Sequence, residues 1–231
     1  DWPDQGLAFD VAVHVGTLMA LLLYFRRQLT TMAAAWFDSV FRRSQTADSR
    51  LAWQILVATI PVGLVGLAFG DFIEANFRNP LFVAGTLSSF GILMYLADRY
   101  GRGQKDEFSL TWPQALAIGC AQALALMPGT SRSGITMTAG RALGLSRSGA
   151  ARFSFLLAIP GIAAAGGYEG LKLLTSPQAV DWGPMLIGVV FAGLSGIACI
   201  HFLIRFIERI GLLPFTLYRL LIAVLIVWHF A

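Results

Sequence analysis

Six long apolar runs alternate with short polar stretches along the chain, at 7–25, 51–70, 81–97, 153–174, 184–204 and 215–230. Each is close to the ~20 residues that a helix needs to cross a hydrocarbon core of about 30 Å. The pattern therefore predicts about six spanning helices. Two further stretches, 113–127 and 134–145, are helix-like, but each is short for a crossing. Between them stands Pro-Gly-Thr-Ser-Arg-Ser-Gly, residues 128–134. Two short helices around a polar turn predict a re-entrant hairpin. The segment 29–43 places Trp36, Phe37, Val40 and Phe41 among polar residues, the pattern of a helix lying on a membrane interface.

Composition agrees with the pattern. The chain has 231 residues, 56% hydrophobic and 13% charged, with a mean hydropathy of +0.67, whereas a soluble domain is about a quarter charged. We read an all-α polytopic membrane protein in which 1–231 forms one integral membrane domain. The formal charge of +4 has no basic stripe or recognition motif with it, so nucleic acid is not an expected partner. Topology explains the charge instead. The connections after the first, third and fifth spans carry Arg26, Arg27, Arg42, Arg43 and Arg50, then Arg99, Arg102 and Lys105, then Arg205 and Arg209. The alternate connections, 71–80 and 175–183, carry only Arg78. The positive-inside rule makes the first set cytoplasmic, so the hairpin enters from the cytoplasm and the C-terminus emerges outside. Cys120 and Cys199 lie in apolar segments and read as small hydrophobes. The absence of an initiator methionine, with Asp1 so close to the first span, predicts that the chain begins partway into a longer protein.

A faint echo links Phe-Asp-Val-Ala-Val-His-Val-Gly-Thr-Leu (9–18) to Phe-Ser-Phe-Leu-Leu-Ala-Ile-Pro-Gly-Ile (153–162). The charge rule orients these segments oppositely, as an inverted repeat requires. A counterpart of the Pro-Gly-Thr-Ser-Arg-Ser-Gly turn would then fall upstream of Asp1.

The turn carries the chemistry. Irregular backbone at membrane depth is tolerated only when buried in protein or lining a polar cavity. Arg132 is costly there unless it meets an anion, and its guanidinium fork suits phosphate oxygens. The second short helix begins at the turn, so N–H groups around Ser133, Gly134 and Ile135 are expected to face the cavity with the positive end of the helix dipole behind them. Ser131, Ser133 and Thr136 add hydroxyl donors. Nothing in 125–145 can act as a base toward a hydroxyl nucleophile, and a nucleotide P-loop is excluded by the absence of a Gly-Lys-Ser/Thr ending. Asp10 and His14 are spaced to share a helix face, and a structural hydrogen bond is the favoured reading of that pair over a proton relay. Gln122 either lines the cavity or bonds a neighbouring helix. Arg147 and Arg152 read as positive-inside anchors, and His201, Arg219 and His229 as interfacial side chains.

Ala-Leu-Met-Pro-Gly-Thr-Ser-Arg-Ser-Gly-Ile-Thr (125–136), followed by Arg-Phe-Ser-Phe-Leu-Leu-Ala-Ile-Pro (152–160), closely resembles the second signature of the bacterial undecaprenyl-diphosphate phosphatases of the bacitracin-resistance type. The resemblance runs through essentially the whole chain, including Leu-Pro-Phe-Thr-Leu-Tyr-Arg at 213–219. It implies two inverted repeats with re-entrant helix pairs, and hydrolysis of undecaprenyl diphosphate at the outer face of the bacterial inner membrane, recycling the lipid carrier for cell-wall synthesis. It also implies a divalent cation, magnesium or calcium. Carried over by position, Arg132, Ser131 and Ser133 are the candidate catalytic residues. Gly129, Thr130, Gly134, Thr136 and Gln122 are the candidate substrate-binding residues. The family's first signature, a glutamate-rich stretch leading into Pro-x-Ser-Ser-x-Gly-His, is absent. Its metal ligands and acid/base groups are expected before Asp1. The expected partners are the polyprenyl diphosphate substrate and membrane lipids, and a homodimer is left possible. Movement of a polyprenyl phosphate lipid across the membrane is the alternative function.

Overall fold

In a computed structural model, residues 6–175 and 182–230 are described, and nearly all of them are helical. The nine α-helices in these residues are α1 (Gly6–Tyr24), α2 (Arg26–Phe41), α3 (Ala47–Asn76), α4 (Pro80–Tyr100), α5 (Trp112–Ala123), α6 (Arg132–Ala142), α7 (Arg147–Thr175), α8 (Trp182–Ile210) and α9 (Leu213–Phe230). Five of these, α3, α4, α7, α8 and α9, contain stretches long and apolar enough to cross a membrane, and Val11–Tyr24 of α1 is a shorter apolar stretch. The protein is a polytopic membrane protein.

Most helices overrun the apolar runs that announced them, because local capping sets the ends and hydropathy does not. Thr46 and Ser49 form a reciprocal capping box that starts α3 ahead of its first apolar residues. That helix continues to Asn76, through a segment expected to be mostly connection. The Asn79 side chain accepts the Leu81 N–H at 2.8 Å, and Pro80 then opens α4 at the position where a missing N–H costs nothing. Only 77–79 therefore join α3 to α4. The helix expected over 29–43 forms as α2, which follows α1 with only Phe25 between them.

The hairpin forms as expected. Helices α5 and α6, of 12 and 11 residues, are each about 17 Å long at 1.5 Å per residue, little more than half a bilayer core. They pack on α3, α4 and α7. Leu51, Ile55 and Ala58 of α3, Ala115 and Ile118 of α5, Met137 of α6, and Phe153, Leu156 and Leu157 of α7 form the buried centre. The outward faces remain apolar, with Leu67 91% exposed and Trp228 84% exposed, as lipid-facing surfaces require. Among the described residues the hairpin occurs once.

At the end of the bundle carrying Arg99, Arg102 and Lys105, one carboxylate ties three helices and the turn into α9 together. Asp98 of α4 accepts from Arg147 Nε at 2.7 Å and Nη2 at 3.0 Å, and from the Leu212 N–H at 3.0 Å. Arg141 Nε of α6 lies 3.3 Å from the same carboxylate. Arg141 also donates to the carbonyls of Gly101, Gly103 and Leu145. This knot fixes the base of the hairpin, and so the height of its tip.

Candidate active site

The tip of the hairpin is a strained turn. Pro128 cannot continue the short helical turn Leu124–Leu126. Gly129 follows with φ +86°, and a Cβ there would stand 2.3 Å from Thr86 Oγ1 and 2.8 Å from the Val83 carbonyl oxygen. Both conformation and space therefore demand glycine. Ser131 also has a positive φ, +65°, without being glycine, a strain of order 1–3 kcal/mol that the surroundings must impose. They do so from two helices. The Thr86 hydroxyl on α4 donates to the Pro128 carbonyl at 2.6 Å, and Arg219 Nη2 on α9 donates to the Gly129 carbonyl at 2.8 Å.

The strained Ser131 is the N-cap of α6. Its hydroxyl accepts the Gly134 N–H at 3.3 Å, and its carbonyl accepts the Ile135 N–H at 3.0 Å. The expectation that the Gly134 and Ile135 N–H groups face the cavity is thereby corrected, since the cap consumes both. The N–H groups of Arg132 and Ser133, at the first two positions of the helix, are the ones that lack an intrahelical acceptor.

Arg132 and Ser133 both line a cavity of about 870 Å³ bounded by α1, α7, α8 and the start of α9. Its walls are otherwise largely apolar, with Leu21, Phe155, Ile200, Leu203 and Phe206 among them, while His14 and Thr17 add polar groups. Among the described residues no hydrogen bond or ion pair holds the Arg132 guanidinium, which lies close to Gly161 of α7. A cationic side chain, the first turn of a helix and a large apolar wall thus share one space.

The other candidate residues stand behind that surface. Thr136 is 2% exposed, and its hydroxyl is engaged with Ser154 Oγ at 2.6 Å and the Arg132 carbonyl at 2.9 Å, so it secures α6 on α7. Thr130 and Gln122 are fully buried, and neither Thr130 Oγ1 nor Gln122 Nε2 has a hydrogen-bond partner among the described residues. Gly134 is packed between Ser131 and Arg219. His14 Nδ1 lies 3.9 Å from Glu169 Oε2 on α7, a pairing absent from the sequence reading; the Asp10 side chain, its expected partner, lies outside the described residues. Arg147 serves as a structural fork on Asp98, and Arg152 Nη1 stands 4.0 Å from Glu107 Oε1.

Arg219 requires a correction. Read as interfacial, it is 7% exposed and reaches inward to the turn. The signal was present: a charged residue inside an apolar span faces the bundle interior, and Thr216, three residues earlier, shares its helix face. Hydropathy also gives no sign of the Arg141–Asp98 pair, because its two members stand 43 residues apart in sequence.

A magnesium or calcium ion takes oxygen ligands, chiefly carboxylates. Among the described residues no three His, Cys, Asp or Glu side chains cluster, and the turn offers hydroxyls and arginine. These residues do not by themselves fit such an ion, and the chemistry they supply is that of fixed cationic and N–H donors.

The chain is similar to known proteins. The family model described as "Bacitracin resistance protein BacA" matches residues 1–225. A relative from Stutzerimonas stutzeri, named undecaprenyl-diphosphatase 2, is 54% identical over 230 residues, covering 98% of this chain and 85% of that protein. The undecaprenyl-diphosphatase of Nitrosococcus oceani is 52% identical over 230 residues, covering 100% of this chain and 87% of the relative. Undecaprenyl-diphosphatase 1 of Pseudoalteromonas translucida is 50% identical over 223 residues, covering 96% and 84%.

Proposed function

Because the chain belongs to the bacitracin resistance protein BacA family, we infer that it is a membrane hydrolase that converts undecaprenyl diphosphate to undecaprenyl phosphate and inorganic phosphate. The reaction regenerates the lipid carrier of cell-wall synthesis, and bacitracin resistance follows from the family. The observation that carries the reading is the cavity. Its apolar walls suit a polyprenyl chain, and its cationic turn suits a diphosphate.

In this reading Arg132 grips two oxygens of the diphosphate in a fork geometry, and the Arg132 and Ser133 N–H groups, backed by the helix dipole, donate to the oxygens that carry the remaining charge. In the net reaction the oxygen of one water becomes bonded to the terminal phosphorus as that phosphorus loses its bond to the bridging oxygen. Undecaprenyl phosphate departs with the bridging oxygen, the terminal phosphoryl group leaves as inorganic phosphate, and the protons of the water end on the two phosphate products or in solvent. Charge on the transferred phosphoryl group meets donors already in place, the arrangement that most lowers such barriers. Ser131 and Ser133 act as hydrogen-bonding groups in this scheme. Among the described residues no base holds either hydroxyl.

We place the reaction on the outer side of the bacterial inner membrane. The Gly129 turn meets α4 at Val83 and Thr86. Thr86 lies thirteen residues from Arg99, about 20 Å along the helix. A tip at that depth supports entry from the cytoplasmic side with a site reached from outside. Purified full-length protein given undecaprenyl diphosphate in detergent is expected to release inorganic phosphate, read by a colorimetric phosphate assay. No release, with transfer of the lipid between liposome leaflets, would replace hydrolysis with transport.

A further inference from the structure

Arg219 is a buried cation whose located acceptors are neutral. Nη2 donates to the Gly129 carbonyl at 2.8 Å, and Nε to the Leu87 carbonyl on α4 at 3.3 Å. Among the described residues no carboxylate pairs with it. Arginine at membrane depth without a counter-charge is costly and marks function rather than stability. Its Nη1 lies against the first turn of α6, 3.5 Å from where a Gly134 Cβ would stand. That Cβ would sit more tightly against the cap itself, 3.2 Å from Ser131 Oγ, so Gly134 leaves the cap unobstructed while the guanidinium packs beside it.

We infer that Arg219 is a positioning residue for the diphosphate site: it holds the Gly129 carbonyl, and through it the strained Ser131 cap, so that Arg132 and the N–H groups of Arg132 and Ser133 face the cavity. The proposal rests on the reading of this cavity as a diphosphate site. A neutral donor could satisfy one carbonyl. The fork of arginine satisfies two, on α4 and on the turn. Thr216, one turn earlier on α9, provides the contrast. Its hydroxyl donates to the Gly91 carbonyl on α4 at 3.1 Å, so it joins the same two helices without touching the turn.

The test uses full-length protein in detergent, with Arg219→Gln, Arg219→Lys and Thr216→Val made in the parent and in Arg132→Ala. The readouts are kcat and KM for phosphate release, the melting temperature, and binding of inorganic pyrophosphate by calorimetry. Arg219→Gln is expected to lower kcat by roughly 100-fold, the scale of losing one preorganised donor, with a smaller change in KM. Arg219→Lys should recover part of that loss. In Arg132→Ala, adding Arg219→Gln should cost less than about 3-fold more, because the two residues act as one unit. Thr216→Val should lower the melting temperature and leave kcat within about 2-fold. Parental kcat in Arg219→Gln, equal losses in both backgrounds, or a kcat loss in Thr216→Val matching that of Arg219→Gln would each overturn the assignment. If the parent releases no phosphate, the hydrolase reading fails separately. Pyrophosphate binding then decides on Arg219: weaker binding in Arg219→Gln only while Arg132 is present supports the role, and unchanged binding refutes it.

Discussion

Asp98→Asn replaces the carboxylate that joins α4, α6, α7 and the turn into α9 with a neutral group of the same shape. The Asp98 side chain is 7% exposed and that of Arg141 is 6% exposed, so solvent cannot take over the lost charge. Asparagine can still accept the Leu212 N–H, but its NH₂ group must face an arginine donor. Breaking a buried pair by removing one partner costs about 3–5 kcal/mol. Arg147 makes both side-chain hydrogen bonds to this carboxylate, but that side chain is 28% exposed and partly screened. At about 2–4 °C per kcal/mol for a chain of this size, melting should fall by roughly 6–20 °C. The assay is thermal unfolding in detergent, followed by intrinsic tryptophan fluorescence. Arg78→Ala is the reference: its partner Glu74 is exposed, and the loss should stay within about 0.5 kcal/mol. An Asp98→Asn variant that melts within 2 °C of that reference, on the same scale, would refute the claim that this carboxylate ties the helices together.

Two further outcomes concern the site. Gly129→Ala forces a Cβ against Thr86 and Val83 and a residue with a side chain into φ +86°, a conformation costing about 1–2 kcal/mol before the clash is counted. Phosphate release should fall at least about 100-fold with a modest loss of melting temperature, since the turn can yield while the bundle stays folded. Ala158→Phe fills the apolar wall of the cavity; KM for the lipid substrate should rise by about 10-fold or more, the scale of lost apolar contact, while pyrophosphate binding stays unchanged.

The spans were legible because lipid imposes length and hydropathy on each helix separately, and the hairpin because 113–127 and 134–145 are too short to cross. Helix ends were less so, since the Thr46 cap and the Asn79-Pro80 start depend on single polar residues at the edges of apolar runs. Arg132 was visible as a cation at membrane depth. Which N–H groups remain free was not, because that depends on the φ of Ser131 and on its hydroxyl turning back to Gly134. Arg219 and the Asp98 knot are joined to their partners by tertiary packing alone. Hydropathy shows that such charges must face inward, and only the fold shows what they meet.

The central claim is that Arg132 binds the diphosphate through its fork and stabilises charge as the anhydride breaks. It is tested most directly by phosphate release from undecaprenyl diphosphate at saturating substrate, comparing the parent with Arg132→Lys and Arg132→Ala. A bidentate charged contact made in the transition state predicts losses of about 100- to 1,000-fold for Arg132→Ala, with Arg132→Lys recovering only part, since lysine keeps the charge and loses the fork. Release by Arg132→Ala within a few-fold of the parent would contradict the account.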